Sequence, residues 1–252
     1  MTSPRRNLKE MIRSGIVPIG AWQFISHPDV TNLIGEAGFD FVLIDAEHSG
    51  ASADSIRSCI VQADASGVAA IVRVPEGQQF LIEQVLDAGA EGVLVPMIET
   101  AQEAEHAVRS ARFPPQGNRG FCPAVRAGRF GKDPDYIERS NRDVLVAALV
   151  ETPLGVENLA AILAVDGLDA VMIGRADLAV RHGIDPVGTE AKAMVDDLID
   201  RVSAAGVAAV GWTDFEASED ERARAKRCDL LCVAVDVGLL LRQLGKARET
   251  WA

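Results

Sequence analysis

Two carboxylates set the chemistry open to this sequence. Glu151 ends an apolar run, Val144 to Val150. Asp177 follows a second run, Leu168 to Ile173, in the turn Gly174-Arg175-Ala176-Asp177. Between the runs lies a helical segment closed by Gly167. Strand, helix, strand is the pattern of a parallel pair, whose C-terminal ends point the same way. Glu151 and Asp177 should therefore face one another. Two carboxylates with water in the open positions suit a hard divalent cation, Mg²⁺ or Mn²⁺. Each also has a plainer reading as a helix cap: Glu151 precedes Thr152-Pro153, and Asp177 opens a short helical stretch.

Other polar residues stand beyond apolar runs in the same way. Asp45, Glu47 and His48 follow Phe39 to Ile44, and Arg73 lies near the end of Ala69 to Val74. A histidine oriented by a nearby carboxylate is a general base near neutral pH, which suggests Asp45 and His48 as a pair. Glu47 is either a further participant or a structural partner. Arg73 would stabilise oxyanion charge beside a metal, or simply pair with a carboxylate. The exposed N–H groups of Gly174 to Asp177 make an anion site for a carboxylate or phosphate. Trp22, Trp212 and Asp236 complete the set of strand ends. None of Lys9, Lys132, Lys192, Lys226 and Lys246 falls at a strand end, which argues against Schiff-base chemistry. His27, His106 and His182 read as solvated, and Arg126 and Arg129 as contacts of a long insert.

Stepping along the chain, eight strand-then-helix units emerge. Residues 4–14 form an N-terminal helix, and strands follow at 16–22, 39–44, 69–74, 92–96, 144–150, 168–173, 206–212 and 228–235. Helices are expected at 28–38, 52–66, 78–88, 100–112, 189–205, 214–226 and 238–248. Residues 113–142 break the alternation with a Pro-, Gly- and Arg-rich insert of little helical or strand period. Eight such units over 252 residues predict a single (β/α)₈ TIM barrel domain, 1–252, with its site at the C-terminal mouth. No Gly-x-Gly-x-x-Gly turn follows the first strand, against an open dinucleotide-binding sheet.

Bulk properties narrow the field. The net charge of −12 without a basic block argues against nucleic acid. No apolar run approaches the roughly 18 residues of a membrane span, and no hydrophobic signal core opens the chain. The scattered cysteines (Cys59, Cys122, Cys228, Cys232) read as reduced thiols of a cytoplasmic protein.

The segments GAW (20–22), FDFVLIDAEH (39–48), IVRVP (71–75), VLDAGAEGVLVPMIET (85–100), NRGFCPAVRAGRFG (118–131), LVETPLGVEN (149–158) and DAVMIGRADLA (169–179) together resemble a known family. It is the class II, metal-dependent pyruvate aldolases of the 4-hydroxy-2-oxoheptanedioate and 2-keto-3-deoxyglucarate type, within the phosphoenolpyruvate/pyruvate barrel superfamily. The resemblance implies reversible cleavage of a 4-hydroxy-2-oxo acid into pyruvate and an aldehyde. It implies metal ligands at Glu151 and Asp177, with Mg²⁺, Mn²⁺ or Co²⁺ as the ion. It places a histidine–aspartate dyad at His48 and Asp45, a substrate-oxygen arginine at Arg73, and pyruvate-carboxylate amides at Gly174, Arg175, Ala176 and Asp177. Trp22 and Leu149 would border the substrate. Asp87 matches an acidic residue reaching a neighbouring subunit's site, in a homo-hexamer built as a trimer of dimers. The C-terminal helix, 238–248, would pack on a partner barrel. Two departures stand out: Leu149 replaces the family's usual Gln, and Arg175 replaces its usual Pro. Rival readings are a superfamily lyase or decarboxylase of oxaloacetate-like or acyl-CoA substrates, and a non-catalytic barrel that binds a small acid.

Overall fold

The structure is a computed structural model and describes residues 7–251. Eight parallel strands close into a barrel in chain order: β1 (Ile19–Gln23), β2 (Phe41–Asp45), β3 (Ala69–Arg73), β4 (Gly92–Val95), β5 (Leu145–Val150), β6 (Ala170–Ile173), β7 (Ala208–Trp212) and β8 (Leu230–Val235). Each strand pairs with the next, and β8 returns to β1. The helices are α1 (Leu8–Arg13), α2 (Pro28–Glu36), α3 (Ala53–Ala65), α4 (Gln79–Ala88), α5 (Ala101–Ala111), α6 (Tyr136–Asp143), α7 (Pro153–Glu157), α8 (Leu159–Leu163), α9 (Arg175–His182), α10 (Thr189–Ala204), α11 (Glu219–Ala225) and α12 (Asp236–Thr250). The expected (β/α)₈ barrel is present. Residues 4–6 of the expected N-terminal helix lie outside the described residues. No described helix is long and apolar enough to cross a membrane.

The strands read as continuous apolar runs because both of their faces are buried. Period two sends alternate side chains to opposite faces. Phe41, Leu43, Ala69, Ile71, Leu94, Leu145, Ala147, Leu149, Met172 and Val210 fill the barrel interior. Val42, Ile44, Ala70, Val72, Val93, Val146, Ala148 and Val150 meet the helices outside. Full burial of each large aliphatic side chain contributes about 1.5–3 kcal/mol. Both layers therefore hold the strand register.

The insert is more ordered than its composition suggests, which corrects the expectation of little regular structure. It contains a 3₁₀ segment, Arg126–Gly131, and the helix α6. Only Tyr136 and Ser140 of α6 are buried, one turn apart on one face, so this eight-residue helix is mostly polar and offers little apolar signal. The pin is Arg119, 2% exposed. It donates to Asp87 on α4 (2.6 Å), Tyr136 (2.9 Å) and Ser140 (3.1 Å), and its guanidinium lies 4.5 Å from the Phe113 ring centroid. Arg126 joins Asp64 and the Ala88 carbonyl, as expected of an insert contact.

Candidate active site

Strand parity brings the polar residues together. Asp45 continues the interior series Phe41, Leu43, and Arg73 continues Ala69, Ile71. Glu151 continues Leu145, Ala147, Leu149, one step past β5. Trp22 belongs to the same interior face. These side chains form a polar layer on top of an aliphatic plug, at the C-terminal mouth. Arg73, Trp22, Leu149, Glu151, Arg175 and Asp177 line one cavity of about 630 Å³ there.

Asp45 organises one side of the mouth. It is fully buried, and five donors converge on it. Its Oδ2 accepts from Trp22 Nε1 (3.1 Å) and Arg73 Nε (2.7 Å), and Arg73 Nη2 also pairs with it. Its Oδ1 accepts from the backbone N–H groups of Glu47 (3.1 Å) and His48 (2.6 Å). This differs from the expected dyad: Asp45 holds the His48 backbone, and the imidazole is free of it. That imidazole is exposed, with Nε2 3.6 Å from Glu47 Oε2. Glu47 also lies 3.3 Å from Arg73 Nε. A guanidinium within reach outcompetes an imidazole for a buried carboxylate, because it is always charged and offers a fork of donors.

Glu151 organises the other side. Thr152 is the cap of α7, its side chain accepting from Gly155 N–H (3.1 Å). Glu151 is thus not the cap, and Asp177 lies inside the first turn of α9, where Gly174 is the N-cap residue. The Glu151 carboxylate is 6% exposed, and its Oε1 accepts from Met97 N–H (3.1 Å). Burial pushes its carboxyl up to about 7, with Asp177 and Glu47 adding repulsion and the Met97 N–H opposing. Burial also raises Glu47, partly offset by Arg73 and His48. A Cβ at Gly174 would come within 2.4 Å of Glu151 Cβ and 2.9 Å of its Oε2, so glycine is required there. Met97 escaped the sequence reading. Its φ of 56° is left-handed, unusual for a side-chain-bearing residue, and carries no sequence signal.

The remaining residues fall in four places. Gly174 N–H is occupied by the Val150 carbonyl (2.9 Å), which removes it from the anion site and leaves the amides of Arg175, Ala176 and Asp177 at the start of α9. Asp236 accepts from the Phe24 and Ile25 N–H groups and seals the seam between β8 and β1. Asp87 is remote from this chain's mouth, at the C-terminal end of α4, paired with Arg119. Lys192 borders the cavity from α10, tied to Glu221 at 2.8 Å.

The HpcH/HpaI aldolase/citrate lyase family matches residues 19–242. The chain belongs to this family. It is 38% identical to the hydroxypyruvate/pyruvate aldolase of Roseobacter denitrificans, over 100% of this chain and 99% of that one. It is 37% identical to the 4-hydroxy-2-oxovalerate aldolase of Rhodococcus jostii, over 96% and 95% of the two chains. A solved HpcH/HpaI family structure from Burkholderia cenocepacia superposes with a TM-score of 0.88 at 32% identity, covering 98% of this chain and 100% of that one. The protein is therefore an aldolase, a lyase of the HpcH/HpaI family.

The family is metal-dependent, and the donor set fits a hard cation. Among the described residues, no three His, Cys, Asp or Glu side chains gather into a ready-made cage. Mg²⁺ and Mn²⁺ do not need one: one or two carboxylates suffice when water and substrate oxygens fill the rest. The aldolase's mouth holds Glu47, Glu151 and Asp177 close enough to repel one another, and a divalent cation would relieve that repulsion.

Proposed function

We propose that the protein reversibly cleaves a 4-hydroxy-2-oxo acid into pyruvate and an aldehyde, with Glu151 and Asp177 holding Mg²⁺ or Mn²⁺. The observation that carries this reading is Glu151 itself, a buried carboxyl pushed up to about 7 beside Asp177, above an apolar floor. Such a group is costly to ionise unless a cation shares the pocket. When bound, the metal supplies a Lewis acid that polarises the C2 carbonyl.

The chain's own residues do the rest. The amides of Arg175, Ala176 and Asp177 receive the substrate carboxylate. Arg73, fixed by Asp45 and Glu47, donates to the C2 oxygen as negative charge builds there. His48 takes the proton of the 4-hydroxyl. The C3–C4 bond then breaks, its electron pair becoming the C2=C3 double bond of the enolate while the aldehyde leaves. His48 returns the proton to C3, giving pyruvate. Glu47, 3.6 Å from the imidazole, orients it in the place expected of Asp45. Trp22 and Leu149 shape the pocket wall and floor.

The same reading makes the protein a cytoplasmic homo-hexamer, a trimer of dimers. Leu240, Leu241 and Leu244 on α12 are exposed, as suits packing on a partner barrel, and Asp87 would face the neighbour's mouth. Light scattering measures the assembly. The reaction is tested by deuterium exchange at the pyruvate methyl, followed by NMR. EDTA-stripped protein should be silent, and added Mg²⁺ or Mn²⁺ should start exchange. Silence with both metals refutes the assignment.

A further inference from the structure

The segment after β4, Pro96-Met97-Ile98-Glu99, belongs to no strand or helix, yet it is fastened to three neighbouring elements. Ile98 N–H donates to the Leu149 carbonyl on β5 (3.2 Å). The Glu99 carbonyl accepts from Asn158 Nδ2, between α7 and α8 (2.9 Å). Glu99 N–H donates to Glu103 Oε2, in the first turn of α5 (2.8 Å). Gly155 of α7 packs so closely that a Cβ there would come within 2.7 Å of the Ile98 carbonyl oxygen.

Inside this frame Met97 holds φ at 56°. A left-handed backbone is costly for a residue with a Cβ, and it persists only where the surroundings over-determine it. The Met97 side chain gives little reason for it: its sulfur, a weak acceptor, lies 3.8 Å from Arg181 Nη2 on α9. The backbone gives a better one. Met97 N–H donates to Glu151 Oε1 at 3.1 Å, and among the described residues this is the one hydrogen bond that the buried carboxylate receives. The sign of φ decides this contact. The proline ring fixes φ at Pro96, and the fastened segment fixes the chain beyond Met97. Relaxing Met97 to a negative φ must therefore turn the Pro96–Met97 peptide over. The N–H would then face away, and the Pro96 carbonyl would face the carboxylate.

We propose that Met97 is a positioning residue whose left-handed backbone, and not its side chain, fixes the Glu151 carboxylate for the metal. This rests on the metal assignment made above.

The test is a Mn²⁺ titration without substrate, followed by electron paramagnetic resonance, on the wild type, Met97→Gly, Met97→Asn and Met97→Val. Glycine and asparagine enter the left-handed region readily, and β-branched valine does not. Affinity should therefore follow backbone preference and not likeness to methionine. Met97→Gly and Met97→Asn should bind Mn²⁺ nearly as the wild type does. Met97→Val should bind it roughly 10- to 100-fold more weakly, the range for losing the support of a metal ligand. The titration separates affinity from the number of sites, so a misfolded fraction lowers the second and not the first. Met97→Val binding as tightly as the wild type, or Met97→Gly losing as much as Met97→Val, overturns the proposal. If Met97→Val yields no folded sites, the glycine variant decides alone: retained affinity supports the proposal, and a loss of roughly tenfold or more overturns it. A wild type that binds no Mn²⁺ overturns the metal assignment as well, whereas wild-type binding with the variants in the wrong order removes Met97 alone.

Discussion

Glu151→Gln should stabilise the metal-free protein while abolishing turnover. The substitution keeps side-chain volume and keeps an oxygen for the Met97 N–H, which donates at 3.1 Å. It removes the charge that burial, Asp177 and Glu47 oppose. A carboxyl with an ordinary value of 4.5 titrates here at about 7. Each tenfold change in proton affinity is worth about 1.4 kcal/mol, so ionising Glu151 in the folded state costs ~3 kcal/mol. The direction with pH follows from linkage. Between 4.5 and 7 the unfolded chain has released this proton and the folded protein has not, so stability falls as pH rises through that window. Below it the wild type and variant should match, and above it the variant should lead by up to ~3 kcal/mol. Urea unfolding in EDTA at pH 4 and pH 8, at one protein concentration, reads the difference. Added Mg²⁺ should then stabilise the wild type and leave the variant unmoved, because a ligand stabilises only the state that binds it. Equal stability at pH 8 without metal, or an equal response to Mg²⁺, would refute the account of this pocket.

Two further substitutions probe the same geometry. Gly174→Ala forces a Cβ to within 2.4 Å of Glu151 Cβ, so the carboxylate must move. Mg²⁺ affinity by calorimetry should fall at least tenfold, as when a metal ligand's support is removed, with the far-ultraviolet dichroism unchanged. Arg73→Lys exchanges a fork fixed by Asp45 and Glu47 for a single ammonium, and pyruvate methyl exchange should slow by roughly 10²-fold, as when one oxyanion donor is lost.

Much of this was legible in the sequence, for a physical reason. Strands buried on both faces leave unbroken apolar runs, and the first polar residue past each run marks the mouth. Asp45 and Glu151 are such residues, while Arg73 sits near the end of its own run and Asp177 closes the turn that follows its run. What stayed hidden depends on competition in three dimensions. The spacing of Asp45 and His48 suggested a dyad, but it does not record that Arg73 and Trp22 converge on the same carboxylate. Capping was ambiguous at Glu151 until Thr152 was seen to accept from Gly155. The helix α6 is short and mostly polar, so it does not stand out from the Pro- and Gly-rich insert around it, and the left-handed backbone at Met97 leaves no mark in the sequence.

Leu149 shows how one departure propagates. It lies two residues before Glu151 on β5, on the same interior face, one layer below the carboxylate. It also closes on Gly174, with its Cδ1 3.3 Å from where a Cβ there would stand. A glutamine at this position would offer an amide to the pocket, whereas leucine offers only hydrocarbon. The apolar floor therefore contributes to the desolvation that raises Glu151. Under the proposed function it offers the 2-oxo acid no polar contact, which would leave recognition to the α9 amides, Arg73 and a metal. Leu149 and Arg175 line the same cavity, one as apolar floor and the other as a cation at the start of α9. Both departures, taken together in the sequence as bearing on the substrate, thus fall in one cavity.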